Sequence, residues 1–274
     1  MARIVHLSDL HFGTVVPELV EPLLSEIRQL EPTVIVISGD LTQRARRHQY
    51  EEAAAFIARL PSPKLIIPGN HDVPLWNVYN RFLQPLTRYR RYIGINIEPQ
   101  YRDDELFIMG INSARSFVFD GGRISYKQME RLETDMRSVN SDIWKIVAVH
   151  HPIVASEEIK GIAAVGRAEK ALASMERAGV DMVLAGHAHH RYTLQTAKSD
   201  EETRSILIVQ AGTALSHRTR STPNSFNVID TTRNYADVTA YEWDATRNEF
   251  ARIMCVRFRD RGKWITSPAG CLEE

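Results

Sequence analysis

At 274 residues the chain exceeds the commonest domain size but lies within reach of one large domain. Residues are 43% hydrophobic and 25% charged, which allows a sizeable core in a soluble protein. Thirty-four basic residues balance thirty-four acidic ones, which argues against a nucleic-acid partner, and no stretch approaches the ~20 apolar residues of a membrane span.

The first two thirds alternate between strand-like and helix-like patterns. Short apolar runs at Ile4–Leu7, Val34–Ser38, Leu65–Ile67, Leu106–Ile111, Ile146–Val149 and Met182–Ala185 read as strands buried on both faces. Between them Pro17–Leu30, Tyr50–Leu60, Leu75–Tyr92, Ser125–Val139 and Arg167–Ala178 carry helical spacing. Leu75–Tyr92 is expected to break at Pro85, Ser125 and Gln128 form a capping box, and Gly179 ends the last helix. Strand–helix alternation predicts an α/β fold. After about residue 190 the pattern becomes all-β, with strands at Arg191–Ala197, Ile206–Gln210, Phe226–Asp230, Asp237–Trp243 and Phe250–Phe258, and this tail is expected to pack as a second sheet. No linker or repeat interrupts the chain, so residues 1–274 read as a single domain. Cys255 and Cys271 give no disulfide framework and read as free thiols; with no signal-peptide pattern at Met1–Leu7, the chain reads as cytoplasmic. Oligomeric state is not legible.

Polar residues gather just after five of the buried strands: Asp9 and His11; Gly39-Asp40; Gly69-Asn70-His71-Asp72; His150-His151; and Gly186-His187-Ala188-His189. Taken singly, each has an ordinary reading as a turn, a helix start or a buried histidine. Together, in order, at the carboxyl ends of strands, they point to one ligand site. Asp, Asn and His without thiolates suit Mn, Fe, Zn, Co or Ni, and a carboxylate can bridge two such ions.

The ordered set Asp9-x-His11, Gly39-Asp40, Gly69-Asn70-His71-Asp72, His150 and Gly186-His187-x-His189 resembles the calcineurin-like metallophosphoesterase superfamily, over roughly residues 3 to 215. The resemblance implies a four-layer α/β/β/α sandwich of two mixed β-sheets with helices outside. It implies two metal ions, manganese or an iron–manganese pair being favoured. One ion would take Asp9, His11, Asp40 and His189, and the other Asp40, Asn70, His150 and His187, with Asp40 as bridge. A metal-bridging hydroxide would attack the phosphorus. His71, outside the ligand set, would face the phosphate as the catalytic side chain, stabilising charge or protonating the leaving oxygen. Asp72 would either orient His71 or serve as a cap.

The second block continues Gly39-Asp40-Leu41-Thr42, not with the Asp-Arg-Gly segment of the Ser/Thr protein phosphatases. With Asn112-Ser113-Ala114-Arg115 it looks like the bacterial class III cyclic-nucleotide phosphodiesterases, which implies hydrolysis of cyclic nucleotides or other small phosphodiesters. Arg115 and His151 are candidate substrate contacts, His151 alternatively supporting the ligands from behind. His217, Arg218 and Arg220 are candidates for a substrate loop. Leu75–Tyr92 is either a cap over the leaving group or an ordinary packed helix. Other readings are pyrophosphate cleavage in a nucleotide-sugar lipid, as in UDP-diacylglucosamine hydrolases, a nuclease, and last a non-catalytic scaffold.

Overall fold

The computed structural model describes the chain except residues 76–77, 117–120, 156–162, 197–204, 220–221, 260, 262–264 and 268–274. It opens with strand β1 (Ala2–Leu7), a 3-10 turn at Pro17–Leu19, helix α1 (Val20–Gln29) and β2 (Val34–Ile37). Helix α2 (Arg47–Arg59) and β3 (Lys64–Ile66) follow. The expected Leu75–Tyr92 helix is two short ones, α3 (Val78–Leu83) and α4 (Thr87–Tyr92), on either side of Pro85, whose ring has no N–H to continue the ladder. Strand β4 (Gln100–Arg102) precedes β5 (Leu106–Ile111).

Helix α5 (Tyr126–Arg137) starts at the expected box. The Gln128 amide donates to Ser125 Oγ at 3.2 Å, and the Ser125 amide to Gln128 Oε1 at 2.7 Å. Strand β6 (Trp144–Val149), helix α6 (Ala168–Ala178) and β7 (Met182–Ala185) come next, α6 ending where Gly179 takes φ 73°. The remaining strands are β8 (Tyr192–Gln195), β9 (Leu207–Gln210), β10 (Ser225–Thr231), β11 (Tyr235–Asp244), β12 (Glu249–Arg259) and β13 (Ile265–Ser267).

Two mixed sheets result, with orders β13-β12-β11-β10-β1-β2-β3 and β4-β5-β6-β7-β9-β8. The β-rich tail therefore does not form the second sheet, contrary to the sequence expectation. β8 and β9 extend the sheet of β5–β7, while β10 pairs antiparallel with β1 and carries β11 and β12. Both core sheets already had open edges to extend, so strands late in the chain complete two sheets rather than build one.

Alternation along the strands explains the layers. Ile4, Val34 and Val36 meet Ile108, Ile146, Met182 and Leu184 between the sheets. The intervening Val5, Leu7, Ile35 and Ile37 face Leu23, Leu24 and Ile27 of α1 and Tyr50, Ala53 and Phe56 of α2. On the far side Phe107, Met109, Val147 and Val183 meet Leu132 and Met136 of α5 and Met175 of α6. This is the expected four-layer α/β/β/α sandwich. Cys255 is disulfide-bonded, which corrects the reading of free thiols and removes that argument for a reducing compartment; Cys271 lies outside the described residues. No helix among the described residues is long and apolar enough to cross a membrane.

Candidate metal centre

The five polar clusters follow β1, β2 and β3 of one sheet and β6 and β7 of the other. They meet where the carboxyl ends of both sets of parallel strands open onto the same edge of the sandwich. Each chain must turn sharply off its strand to aim side chains back across that edge. Asp9, His11, Asp40, His187 and His189 do so in left-handed conformations, at φ 55°, 48°, 52°, 71° and 54°. Such a conformation is strained for a residue with a Cβ, so five together mark a site that the surroundings hold in place.

Asp9, His11, Asp40 and His189 are buried, with one candidate ligand atom from each lying within 4.8 Å of the others. His11 Nε2 stands 3.5 Å from Asp9 Oδ1, 3.7 Å from Asp40 Oδ2 and 3.4 Å from His189 Nε2. His189 Nδ1 donates to the Arg218 carbonyl at 2.6 Å, so its Nε2 lone pair points at the cluster. Across Asp40 lies the second group. Asn70 Oδ1 is 3.0 Å from His150 Nε2 and 3.1 Å from His187 Nδ1, and His150 Nε2 is 3.4 Å from Asp40 Oδ1. His150 Nδ1 donates to the Ser38 carbonyl at 2.8 Å, again turning Nε2 inward. Asp40 thus presents Oδ2 to one group and Oδ1 to the other.

Asp9 Oδ1 and Asp40 Oδ2 are buried with no hydrogen-bond partner. A buried carboxylate oxygen without donor or cation costs several kcal/mol, on the order of 1–3 or more. Two of them, ringed by imidazole lone pairs, fit a pair of transition-metal ions.

The electrostatics are those of a shared proton network. Burial raises the Asp9 and Asp40 carboxyls, but the surrounding histidines outweigh it and hold both below the usual range. Burial lowers His150, yet Asp40 and Asp9 more than compensate and hold it up at about 9. Burial, aided by His150, pushes His187 down to about 4 and His151 well below its ordinary value.

His71 sits beside the first group, its ring edge-on to His11 at 4.9 Å. Its Nδ1 faces the Gln43 carbonyl at 2.8 Å, which can only accept, so Nδ1 carries a proton. Its Nε2 lies 2.9 Å from Arg218 Nη1. Asp72 does not touch His71 with its carboxylate. It accepts the amides of Gly69, Leu41 and Thr42 at 2.9, 3.1 and 2.9 Å, clamping the loop after β3 to the loop after β2. Of the two roles open in the sequence, the structure takes the capping one.

His151 is buried, with Nδ1 2.7 Å from Ser113 Oγ, its ring 4.7 Å from that of His187, and its Nε2 without a partner. It also forms a candidate metal group with His150 and His187. Arg115 is turned onto its own loop: Nη1 donates to the Asn112 and Ala114 carbonyls at 3.0 and 3.1 Å, and Nη2 to Gln128 at 2.6 Å. The structure thus brings the seven ligand candidates, His71 and His151 together and spends these donors of Arg115 on holding the turn before α5. Gln43, Ser113 and Thr213 were missed, because an amide or hydroxyl carries no metal-ligand signal until its neighbours are known.

A model of the calcineurin-like phosphoesterase family matches residues 2–191. A probable cyclic nucleotide phosphodiesterase from Synechococcus sp. is 24% identical over 200 residues, covering 69% of this chain and 74% of that protein. The purple acid phosphatase PPD1 from yellow lupin (Lupinus luteus) seeds superposes with a TM-score of 0.70 at 12% identity, over 92% of this chain and 52% of that one. The chain therefore spans about half the length of the lupin protein. A dimetal phosphatase from Danio rerio gives 0.67 at 13% identity, over 94% of this chain and 99% of that one. At such identities structural likeness speaks for the fold alone. The family match is independent of it and covers well over half of the sequence. The chain is a member of the calcineurin-like phosphoesterase family.

Proposed function

We propose that the protein is a dinuclear-metal phosphodiesterase acting on cyclic nucleotides or other small phosphodiesters. The observation that carries the chemistry is the pair of buried, unpartnered carboxylate oxygens, Asp9 Oδ1 and Asp40 Oδ2, set among imidazoles. The similarity to the Synechococcus protein supports the substrate class.

In this reading Asp9, His11, Asp40 and His189 hold one ion, and Asp40, Asn70, His150 and His187 the other. When bound, the ions supply a water of lowered pKa and neutralise charge on the phosphate. The chain's own residues do the rest. Asp40, offering one oxygen to each group, fixes their separation. The Ser38 and Arg218 carbonyls orient His150 and His189. His71, its Nδ1 proton tied to Gln43, has Nε2 as the exchangeable position, and a proton taken up there from solvent would pass to the leaving oxygen. Three apolar clusters, one under α1 and α2, one between the sheets and one under α5 and α6, stack on the two sheets, which supports reading the chain as one domain.

One observation favours the lipid pyrophosphate as a second reading. Tyr79, Phe82 and Leu83 of α3, seven residues or more beyond Asp72, expose large apolar side chains. Trp76 and Asn77 of the same expected cap lie outside the described residues.

The test is a manganese-reconstituted hydrolysis panel of bis-p-nitrophenyl phosphate, p-nitrophenyl phosphate, 3′,5′- and 2′,3′-cyclic nucleotides and a UDP-sugar pyrophosphate, with Asp40→Ala as control. Diester turnover abolished by the substitution is expected. Turnover of the pyrophosphate or the monoester alone would overturn the diesterase assignment.

A further inference from the structure

Arg218 is built into the site at two points. Its backbone carbonyl accepts from His189 Nδ1 and, at 3.0 Å, from Thr213 Oγ1, so a member of the first metal group fixes its place. Its guanidinium reaches to the opposite wall, where Nη1 lies 2.9 Å from His71 Nε2 and 3.3 Å from Gln43 Oε1. Both partners are neutral acceptors: Nδ1 of His71 carries its proton, so Nε2 offers a lone pair. A permanent positive charge, half-buried, therefore stands beside His71, next to the first metal group, and its partners among the described residues are neutral. A guanidinium is the side chain best shaped for phosphate oxygens, and charge-assisted bonds are about twice as strong as neutral ones. A phosphoryl oxygen placed here would outcompete the imidazole nitrogen for Nη1.

We propose that Arg218 is a phosphate-binding residue of this site, and that its guanidinium, in moving from His71 Nε2 to a non-bridging phosphoryl oxygen, frees that nitrogen to face the leaving group. The inference rests on the phosphoesterase reading of the site and adds to it the class of group recognised, a phosphate oxyanion. It also gives the Thr213–Arg218 loop a task, coupling the position of His189 to the engagement of substrate.

The experiment titrates inorganic phosphate into the metal-loaded protein by calorimetry, for the wild type, Arg218→Ala and Arg218→Gln. Metal content and unfolding midpoint are measured on each. We expect the phosphate Kd to rise about tenfold or more in both variants, the usual scale for a lost charge-assisted contact, with KM for a small phosphoester rising in parallel. The Gln variant keeps the length and the backbone carbonyl, so it carries the test if the Ala variant fails to fold or to hold metal. In the wild type, phosphate should also shift the 15N resonance of His71 Nε2, which a merely structural Arg218 would leave in place. Unchanged phosphate affinity in both variants, with only kcat lowered, would mean that Arg218 holds the His71 ring and nothing more, and would overturn the proposal. If the wild type hydrolysed no ester but lost phosphate affinity on substitution, the reaction assignment would fall and the phosphate site would stand.

Discussion

Gly39 takes φ +105°, and a methyl group there would stand 2.6 Å from His150 Nδ1. That nitrogen is the one that holds the ring on the Ser38 carbonyl, so Gly39→Ala acts on the ligand through its orientation, and adds backbone strain of its own. Loss of an outer partner of a metal-bound histidine costs about 10–100-fold in affinity. We expect Gly39→Ala to weaken the second ion by that factor while sparing the first, as read by competition with a chelator. Equal weakening of both ions would show that the loop, not the ring, had moved. At this scale the sequence was informative about ligands and poor on their supports. The carboxylates and imidazoles announce themselves by type and order, whereas Asp72 reads the same whether it orients a histidine or ties two loops. Arg115 is a related case: a guanidinium after a strand can turn outward or back onto its own carbonyls, and only the position of Gln128 shows that these donors turn back.

Among the elements, β11 and β12 are held by more than their ladder. Asp237 and Arg257 are paired in register, with bonds of 2.7 and 2.6 Å from Nε and Nη2 to the two carboxylate oxygens, and the guanidinium lies 4.1 Å over the Tyr235 ring. Asp237 is aligned through Asp230 with Arg3, near the amino end of β1 and so opposite the metal groups. Asp237→Asn should destabilise the fold by about 1.5–3 kcal/mol, the scale of hydrogen bonds to charged groups, with metal content and turnover unchanged. Denaturant unfolding and a metal assay check both halves. Strand and helix positions were largely legible, since runs such as Leu106–Ile111 and Met182–Ala185 are apolar throughout and bounded by turns. Sheet membership was not. β8 and β9 look no different in sequence from β10 and β11, yet they join opposite sheets, because edge-strand choice depends on which neighbour presents free backbone groups. The three-residue β4 and β13 are too short to show a period.

For the whole molecule the proton held by His150 gives the metal site a pH signature. With the folded pKa at about 9 and the unfolded value at 6.5, the metal-stripped protein gains stability from this group that is complete below pH 6.5 and is lost as pH rises through 9. Metal must displace the same proton, so affinity should climb over that window, with about one proton released on binding. His187, lowered to about 4, and His151, lowered as well, are already neutral there and leave the signal to His150. Between pH 6.5 and 9 the unfolding midpoint of the stripped protein should therefore fall as pH rises, while that of the reconstituted protein, in which His150 is neutral both folded and unfolded, should stay flat. Parallel trends would mean that His150 is not protonated in the stripped protein.

The place of β1 in its sheet, between β2 and β10, has a consequence for biosynthesis. As the chain leaves the ribosome, Asp9, His11, Asp40 and Asn70 are exposed long before His150, His187 and His189 are made. The strand that seals the other side of β1 is not complete until Thr231. A nascent chain therefore carries Asp9, His11, Asp40 and Asn70 before the remaining nitrogen ligands, His150, His187 and His189, have been added. Both ligand groups are complete only once His187 and His189 have been made, so loading of both ions waits on the later strands rather than on the first carboxylates.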